Sequence, residues 1–239
     1  MALKFYTWRE IYFISKNGMA EEYLSIEETK DITVNGKRYE ATILGFNHDD
    51  LADGSGKAGI TFGLTECLDK EYPMNETKTN IGGWKDSKMR RFLSEDIFNS
   101  LEKDLKAVIS PVIKVTNIGG GSSEIEKTTD KLFLFSVDEI YGVSQREEDQ
   151  KGVGNGCDVW GWEGSLSKPE GKQYPYFQKK NHVIKNRMEK SSWYWLRSPD
   201  SDNSSYFHTV VDADGSKEDC GCAHDYANSN SGVVFGFAI

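Results

Sequence analysis

Hydrophobic and polar positions along this chain follow several different periods. The opening stretch, MALKFYTWREIYFISKNG, carries Phe5, Tyr6, Trp8, Ile11, Tyr12 and Phe13. No single period fits these residues, so residues 1–30 form an amino-terminal element of undecided structure, in keeping with an arm for assembly. In DITVNGKRYEATILGF, Asn35-Gly36 separates two β-favouring runs, the strongest short signal for a two-residue hairpin turn. ITFGLTECL then reads as a strand between loops.

From Asp86 to Ile109 the period lengthens. Met89, Phe92, Leu93, Ile97, Phe98, Leu101, Leu105, Val108 and Ile109 recur at three- and four-residue spacing, the pattern of one helix face. Ser94, with Glu95 and Asp96 behind it, predicts a second helix start, and Pro111 ends the run. PVIKVTN reads as a strand, IGGGSSEIEKTTD as a flexible loop, and KLFLFSV as a strand buried on both faces. Residues 143–182 read as irregular by Gly, Pro and charge, yet Trp160, Trp162, Tyr174, Tyr176 and Phe177 require packing.

WYWLRS, YFHTVVD and GVVFGFAI are strand-like; in the last, Phe235, Phe237 and Ile239 oppose the small Gly236 and Ala238. No fixed-period repeat occurs. Strands, then two helices, then strands predict one α+β domain over residues 31–239.

Composition narrows the function classes. A formal charge of −9 disfavours nucleic acid, whose phosphates demand clustered Lys and Arg. No apolar run is long enough to span a bilayer, and no secretory leader is visible, so the expectation is synthesis in the cytoplasm without membrane insertion. Four cysteines, Cys67, Cys157, Cys220 and Cys222, are too sparse for a disulfide scaffold.

Residues 200–231 stand out. Of these 32 residues, 19 are Ser, Asp, Asn, Tyr or Gly, and seven acids face the single Lys217. That mixture fills antibody paratopes, where Tyr supplies rigid contact area and Ser, Asn and Gly supply adaptable hydrogen bonds; it is also what solvated turns demand. Cys220, Cys222 and His224 alternate in CGCAH, but on a strand they would spread over about 7 Å, too far for one tetrahedral zinc. DADGS resembles half a calcium loop, yet Ala223 stands where a bidentate Glu is needed; a hairpin turn at Asp214-Gly215 fits better.

SWYWLRSP with His208 lacks the elbow that positions a nucleophile, and NIGGGSS lacks the Lys-Ser/Thr of a phosphate loop. His48 and His182 stand alone, as histidines satisfied by local hydrogen bonds. No catalytic residue, metal or cofactor is assigned.

Five blocks in order, GFNHDDLADGSGKAGITFGLTECL, GGWKDSKMRRFL, TTDKLFLFSVDEIYG, WYWLRSP and SGVVFGFAI, resemble a family of domains frequent in phage and prophage structural proteins of gut bacteria. The resemblance runs from about Ile32 to Ile239. The carboxyl-terminal pattern is similar to that of the C-type lectin fold, as used by formylglycine-generating enzymes and by variable proteins of diversity-generating retroelements. It implies a mixed, mostly antiparallel sheet with two helices and long loops. Trp195, Arg197, Ser198 and Pro199 match the framework strand, and Gly232, Val233, Phe235 and Phe237 the closing strand. Val234, Phe235 and Gly236 replace the Gly-Val-Arg-Pro-Ala ending of many relatives and match the phage-type branch. Residues 147–170 look like an insertion.

The resemblance implies a ligand-binding protein of phage or prophage origin, virion-associated, with a display region at about 193–231 that a retroelement could diversify. Its ligand would be a protein or glycan on a host or neighbouring cell surface. Contact candidates are Tyr194, Leu196, Asp200, Asp202, Asn203, Tyr206 and His208 on the first part, and Lys217, Asp219, Cys220, Cys222, His224, Tyr226, Asn228 and Asn230 on the second. A virion subunit binding its neighbours is the alternative; an enzyme on a formylglycine-generating-enzyme-like fold is the third reading.

Overall fold

A computed structural model describes residues 2–142, 168–179, 193–200, 203–212 and 220–239. Asn35 and Gly36 both take positive φ, 51° and 75°, so β1 (Thr29–Val34) turns tightly into β2 (Lys37–Phe46) with Val34 opposite Lys37. Strand β3 (Ile60–Leu64) follows antiparallel on β2. The last strand of the chain, β10 (Gly236–Ala238), lies between β3 and β6 (Leu132–Phe133), which completes a five-stranded antiparallel sheet. Close approach explains the small residues there: a β-carbon on Gly236 would lie 2.7 Å from the Phe133 ring.

Residues 2–30 are part of this body. Thr7 and Glu10 form a capping box that starts helix α1 (Trp8–Lys16), and a short helix α2 (Ala20–Tyr23) follows. Trp8, Ile11, Ile14 and Ser15 are buried. The Trp8 ring meets Phe62 and Phe237 edge-on at 5.7 and 6.0 Å, its indole N–H donates to Glu102 at 2.9 Å, and the Ser15 hydroxyl donates to the carbonyl of Ile239 at 2.5 Å. The mixed pattern of the segment arises because its outer face is also aromatic: Phe5 and Phe13 are 67% and 61% exposed.

The helical region is one interrupted run. After α3 (Gly83–Asp86), Ser87 caps α4 (Lys88–Phe92), which continues through a π-helical turn at Leu93–Ile97 into α5 (Phe98–Ser100). Ser94 is therefore not a cap; its hydroxyl donates to the Arg91 carbonyl within the run. The break comes at Leu101, whose backbone is extended, before α6 (Lys103–Lys106). A mid-helix π turn keeps Leu93 and Ile97 buried while Ser94, Glu95 and Asp96 face solvent.

Two expected loops take other forms. Only the first part of IGGGSSEIEKTTD is a loop, since Ile125–Asp130 forms β5, paired antiparallel along β4 (Val112–Asn117). The glycines of that loop are not a flexible spacer. Gly119 has φ +70°, and a β-carbon on it would lie 2.0 Å from the Asn80 carbonyl oxygen, so the turn docks closely on the segment around Asn80. Beyond β6, Ser136 and Glu139 form a second capping box that opens α7 (Val137–Tyr141), and α8 (Pro175–Lys179) lies within the stretch expected to be irregular. Tyr174, Tyr176 and Phe177 are buried as required; Trp160, Trp162, Cys157, His182 and most of the 147–170 insertion lie outside the described residues.

The carboxyl-terminal sheet is antiparallel, β7 (Trp193–Pro199), β8 (Tyr206–Asp212) and β9 (Cys220–Tyr226) in order. The Asp214-Gly215 turn between β8 and β9 lies outside the described residues. The far edge of β7 is paired too: Trp195 N–H donates to Gly232, Gly232 N–H to Trp193, and Arg197 N–H to Phe135. The protein is thus a mixed α+β fold of antiparallel sheets and short helices.

Candidate recognition surface and its buried frame

Strand β4 alternates buried and half-buried positions, and Lys114 falls on the buried face with Val112 and Thr116. Its ammonium group, 1% exposed, cannot reach water. All three of its N–H bonds find acceptors: Asp49 at 2.5 Å, Tyr174 at 2.8 Å and Glu139 at 3.0 Å. Arg197, on β7, meets the other side of Glu139 with both terminal nitrogens, at 2.5 and 3.0 Å. The rest of its fork donates to Thr116 and to the carbonyls of Leu134, Val115 and Glu170.

Asp49 is filled as well, by Lys114, the Tyr174 hydroxyl and the Thr61 hydroxyl. Burial opposes ionisation of Asp49 and Glu139. Lys114 beside Asp49, and Arg197 with Lys114 beside Glu139, prevail and hold both carboxyls below their ordinary values. Burial and the same acids push the Tyr174 hydroxyl well above its usual range.

This network ties β4, α7 and β7 together. Its groups are saturated with one another, which suits a frame better than a reacting centre. His48 lies at its margin. Its ring makes no hydrogen bond among the described residues; it stacks on Tyr174 with centroids 4.0 Å apart and lies 3.6 Å from Asp49, in place of the local hydrogen bonds expected.

The exposed chemistry lies above β8 and β9. Tyr206 and Tyr226 are directly opposite each other across the two strands, and their rings stack at 4.5 Å. His224 packs on Tyr206 at 4.6 Å, with its Nδ1 3.7 Å from Asp200. On the other side the Lys78 ammonium lies 3.2 Å from the centre of the Tyr226 ring. Hydrogen bonding between the two phenols raises Tyr206 and lowers Tyr226, with Lys78 adding to the second effect. The result is a ladder of Lys78, Tyr226, Tyr206 and His224 whose ring faces and hydroxyls are largely spent on each other, leaving ring edges for a partner.

Three segments hold the ladder. Asn80 is fully buried and its amide donates to the carbonyls of Asp200, Asn203 and Tyr206. Its backbone N–H donates to Ser204, and its side-chain oxygen accepts from Gly120. The Asp200 carboxylate accepts from the Asn203 N–H at 2.9 Å. Asn75 N–H donates to Ala227, and Tyr72 exchanges two backbone bonds with Ser231.

The sequence candidates divide accordingly. Tyr206, His224 and Tyr226 come together, with Asn203, Asn228 and Asn230 exposed on the adjoining turns. Tyr194, Leu196 and His208 do not belong to the outer surface, because they are buried; for Tyr194 and Leu196 the reason is that β7 is covered on both faces, every residue from Tyr194 to Pro199 being buried. Asp200 is buried. Cys220 and Cys222 take positions on β9, while Asp202, Lys217 and Asp219 lie outside the described residues.

The frame residues Trp195, Arg197, Pro199, Gly232, Phe235 and Phe237 are all buried. Sequence reasoning missed Lys78, Asn80 and the network of Asp49, Lys114, Glu139, Glu170 and Tyr174. Lys114 gave no signal, because in VIKVT the wholly apolar alternate positions are Ile113 and Val115, whereas the buried face is that of Val112, Lys114 and Thr116.

These features define a mixed α+β protein with a saturated ionic frame under an aromatic surface. The chain belongs to the family described as Domain of unknown function (DUF6273), whose model matches residues 58–232. No curated protein matches the chain, and no solved structure does.

Proposed function

We propose that this chain is a ligand-binding protein, holding a partner on its carboxyl-terminal sheet without chemistry. The observation that carries the reading is the partly exposed ladder of Tyr226, Tyr206 and His224, with Lys78 against it, on strands fastened to a saturated buried frame. Aromatic side chains already held in place lose little entropy on binding and supply most of the contact energy. The carboxyl-terminal pattern, with Trp195, Arg197, Ser198 and Pro199 on one strand and Gly232, Val233, Phe235 and Phe237 on the closing one, supports reading the fold as C-type lectin-like, beside the five ordered blocks. The blocks also support a phage or prophage origin, a protein or glycan of a host or neighbouring cell surface as ligand, and diversification of the carboxyl-terminal region.

The test is binding to host cells and to a glycan array by the intact chain and by Tyr206→Ala, Tyr226→Ala and Lys78→Ala. A loss of about tenfold or more with unchanged thermal stability is expected, since interface anchors are worth roughly 1–2 kcal/mol or more each. Binding that survives all three substitutions overturns the assignment of the surface. A second reading, a virion subunit, draws support from Phe5 and Phe13 standing exposed on the opposite end of the chain. It predicts a stable complex with neighbouring subunits that Phe5→Ser with Phe13→Ser abolishes.

A further inference from the structure

Glu170 lies in the segment leading to α8, and its side chain is fully buried. One carboxyl oxygen accepts from the Asn117 N–H at the end of β4 at 2.8 Å, and the other meets the Ser198 hydroxyl of β7. Its own N–H donates to the Asp138 carboxylate of α7 at 2.5 Å. Its carbonyl accepts from Arg197 at 2.7 Å and from Ser136 at 3.3 Å. One residue thus joins three elements of the frame.

The charges around it are unevenly shared. Arg197 of β7 directs its charged pairs at Glu139, and Lys114 of β4 spends its three protons on Asp49, Glu139 and Tyr174. Asp138 and Glu139 of α7 add negative charge beside Glu170. Among the described residues no cation touches the Glu170 carboxyl. A carboxyl sealed from water with no cation of its own favours the protonated form.

We propose that Glu170 is a proton-operated latch: protonated, it holds residues 168–174 against β4 and β7, and its ionisation as pH rises past neutral loosens that junction under the carboxyl-terminal sheet. Burial, with the charge of Asp138, pushes the group up to about 7, against the Ser198 and Asn117 hydrogen bonds and the attraction of Arg197. The native state therefore binds this proton more tightly than the unfolded chain. The stabilisation is complete below the ordinary glutamate range and is lost as pH rises through about 7.

The experiment compares the full chain with Glu170→Gln, which keeps the shape of the protonated acid. Amide exchange protection at Asn117 and Val137, and urea stability, are read from pH 6 to 8.5. The wild type is expected to lose about tenfold in its folding constant over that range, while Glu170→Gln stays level. Equal declines in both proteins, or none in the wild type, overturn the latch. Carboxyl carbon NMR of the wild type decides independently of whether the variant folds: a Glu170 midpoint near 7 supports the latch, and one below about 5 removes it.

Discussion

Arg197 shows how one side chain can be worth more to this protein as a fastener than as a functional group. Its guanidinium is fully buried, and burial would lower its proton affinity, but Glu139 raises it. A buried pair of this kind costs desolvation and returns it only if every donor and acceptor is filled, as they are here. Removing one partner is then far worse than removing both. Arg197→Met is expected to cost about 3–5 kcal/mol in urea unfolding, because Glu139 keeps its charge with only Lys114 against it. Joining Glu139→Leu to Arg197→Met should recover a large part of that loss. A double variant no more stable than the single one would mean that hydrogen bonds to Thr116 and the three carbonyls, not charge pairing, hold β7 in place.

At the scale of elements, what could be read from the chain depended on how local the cause was. The β1–β2 hairpin was legible because two residues, Asn35 and Gly36, fix it by themselves. Strand β10 and its small residues were legible for a similar reason. Helix α7 was missed although Ser136 and Glu139 carry its capping box, since five residues are too few for a period to show. The break in the helical run was misplaced from Leu101 to Ser94 because a π turn shifts the phase of the pattern without interrupting it. Strand β5 carries Glu126, Lys127 and two threonines and looks like loop in isolation; pairing along β4 makes it a strand.

Within the aromatic surface, Tyr206, His224 and Tyr226 could be picked out from composition. Lys78 and Asn80 could not, since more than a hundred residues of chain separate them from the strands they support. Helix α1 illustrates the same limit: its phase is obscured by exposed Phe13 and Tyr12, yet its inner face is core. Trp8→Ala should therefore cost about 3–5 kcal/mol, the range for a buried aromatic truncated to Ala. A loss below about 1 kcal/mol on thermal or urea unfolding would identify α1 as a loosely attached arm.

For the molecule as a whole, the order of strands matters more than the span of sequence that relatives share. The family match covers residues 58–232, but the five-stranded sheet draws β1, β2 and β10 from outside that span. Strand β10 is an interior strand of that sheet, hydrogen-bonded to β3 on one side and β6 on the other. The Ile239 carbonyl accepts from both Ile60 and the Ser15 hydroxyl, so the two ends of the chain meet there. A fragment of residues 58–232 would keep the aromatic surface in sequence, and the ionic frame except for Asp49, while exposing Phe62, Phe133 and the apolar face of β3 to water. Buried apolar area of this size is the main favourable term in folding, so the fragment should show no cooperative thermal transition and poor amide dispersion by NMR. Adding residues 233–239 alone should not rescue it, because β2 would still be missing from the edge of β3 and α1 from its place against Phe62 and Phe237. If the bare fragment folds cooperatively, the frame around Lys114 and Arg197 is an independent folding unit and the amino-terminal elements are accessories to it.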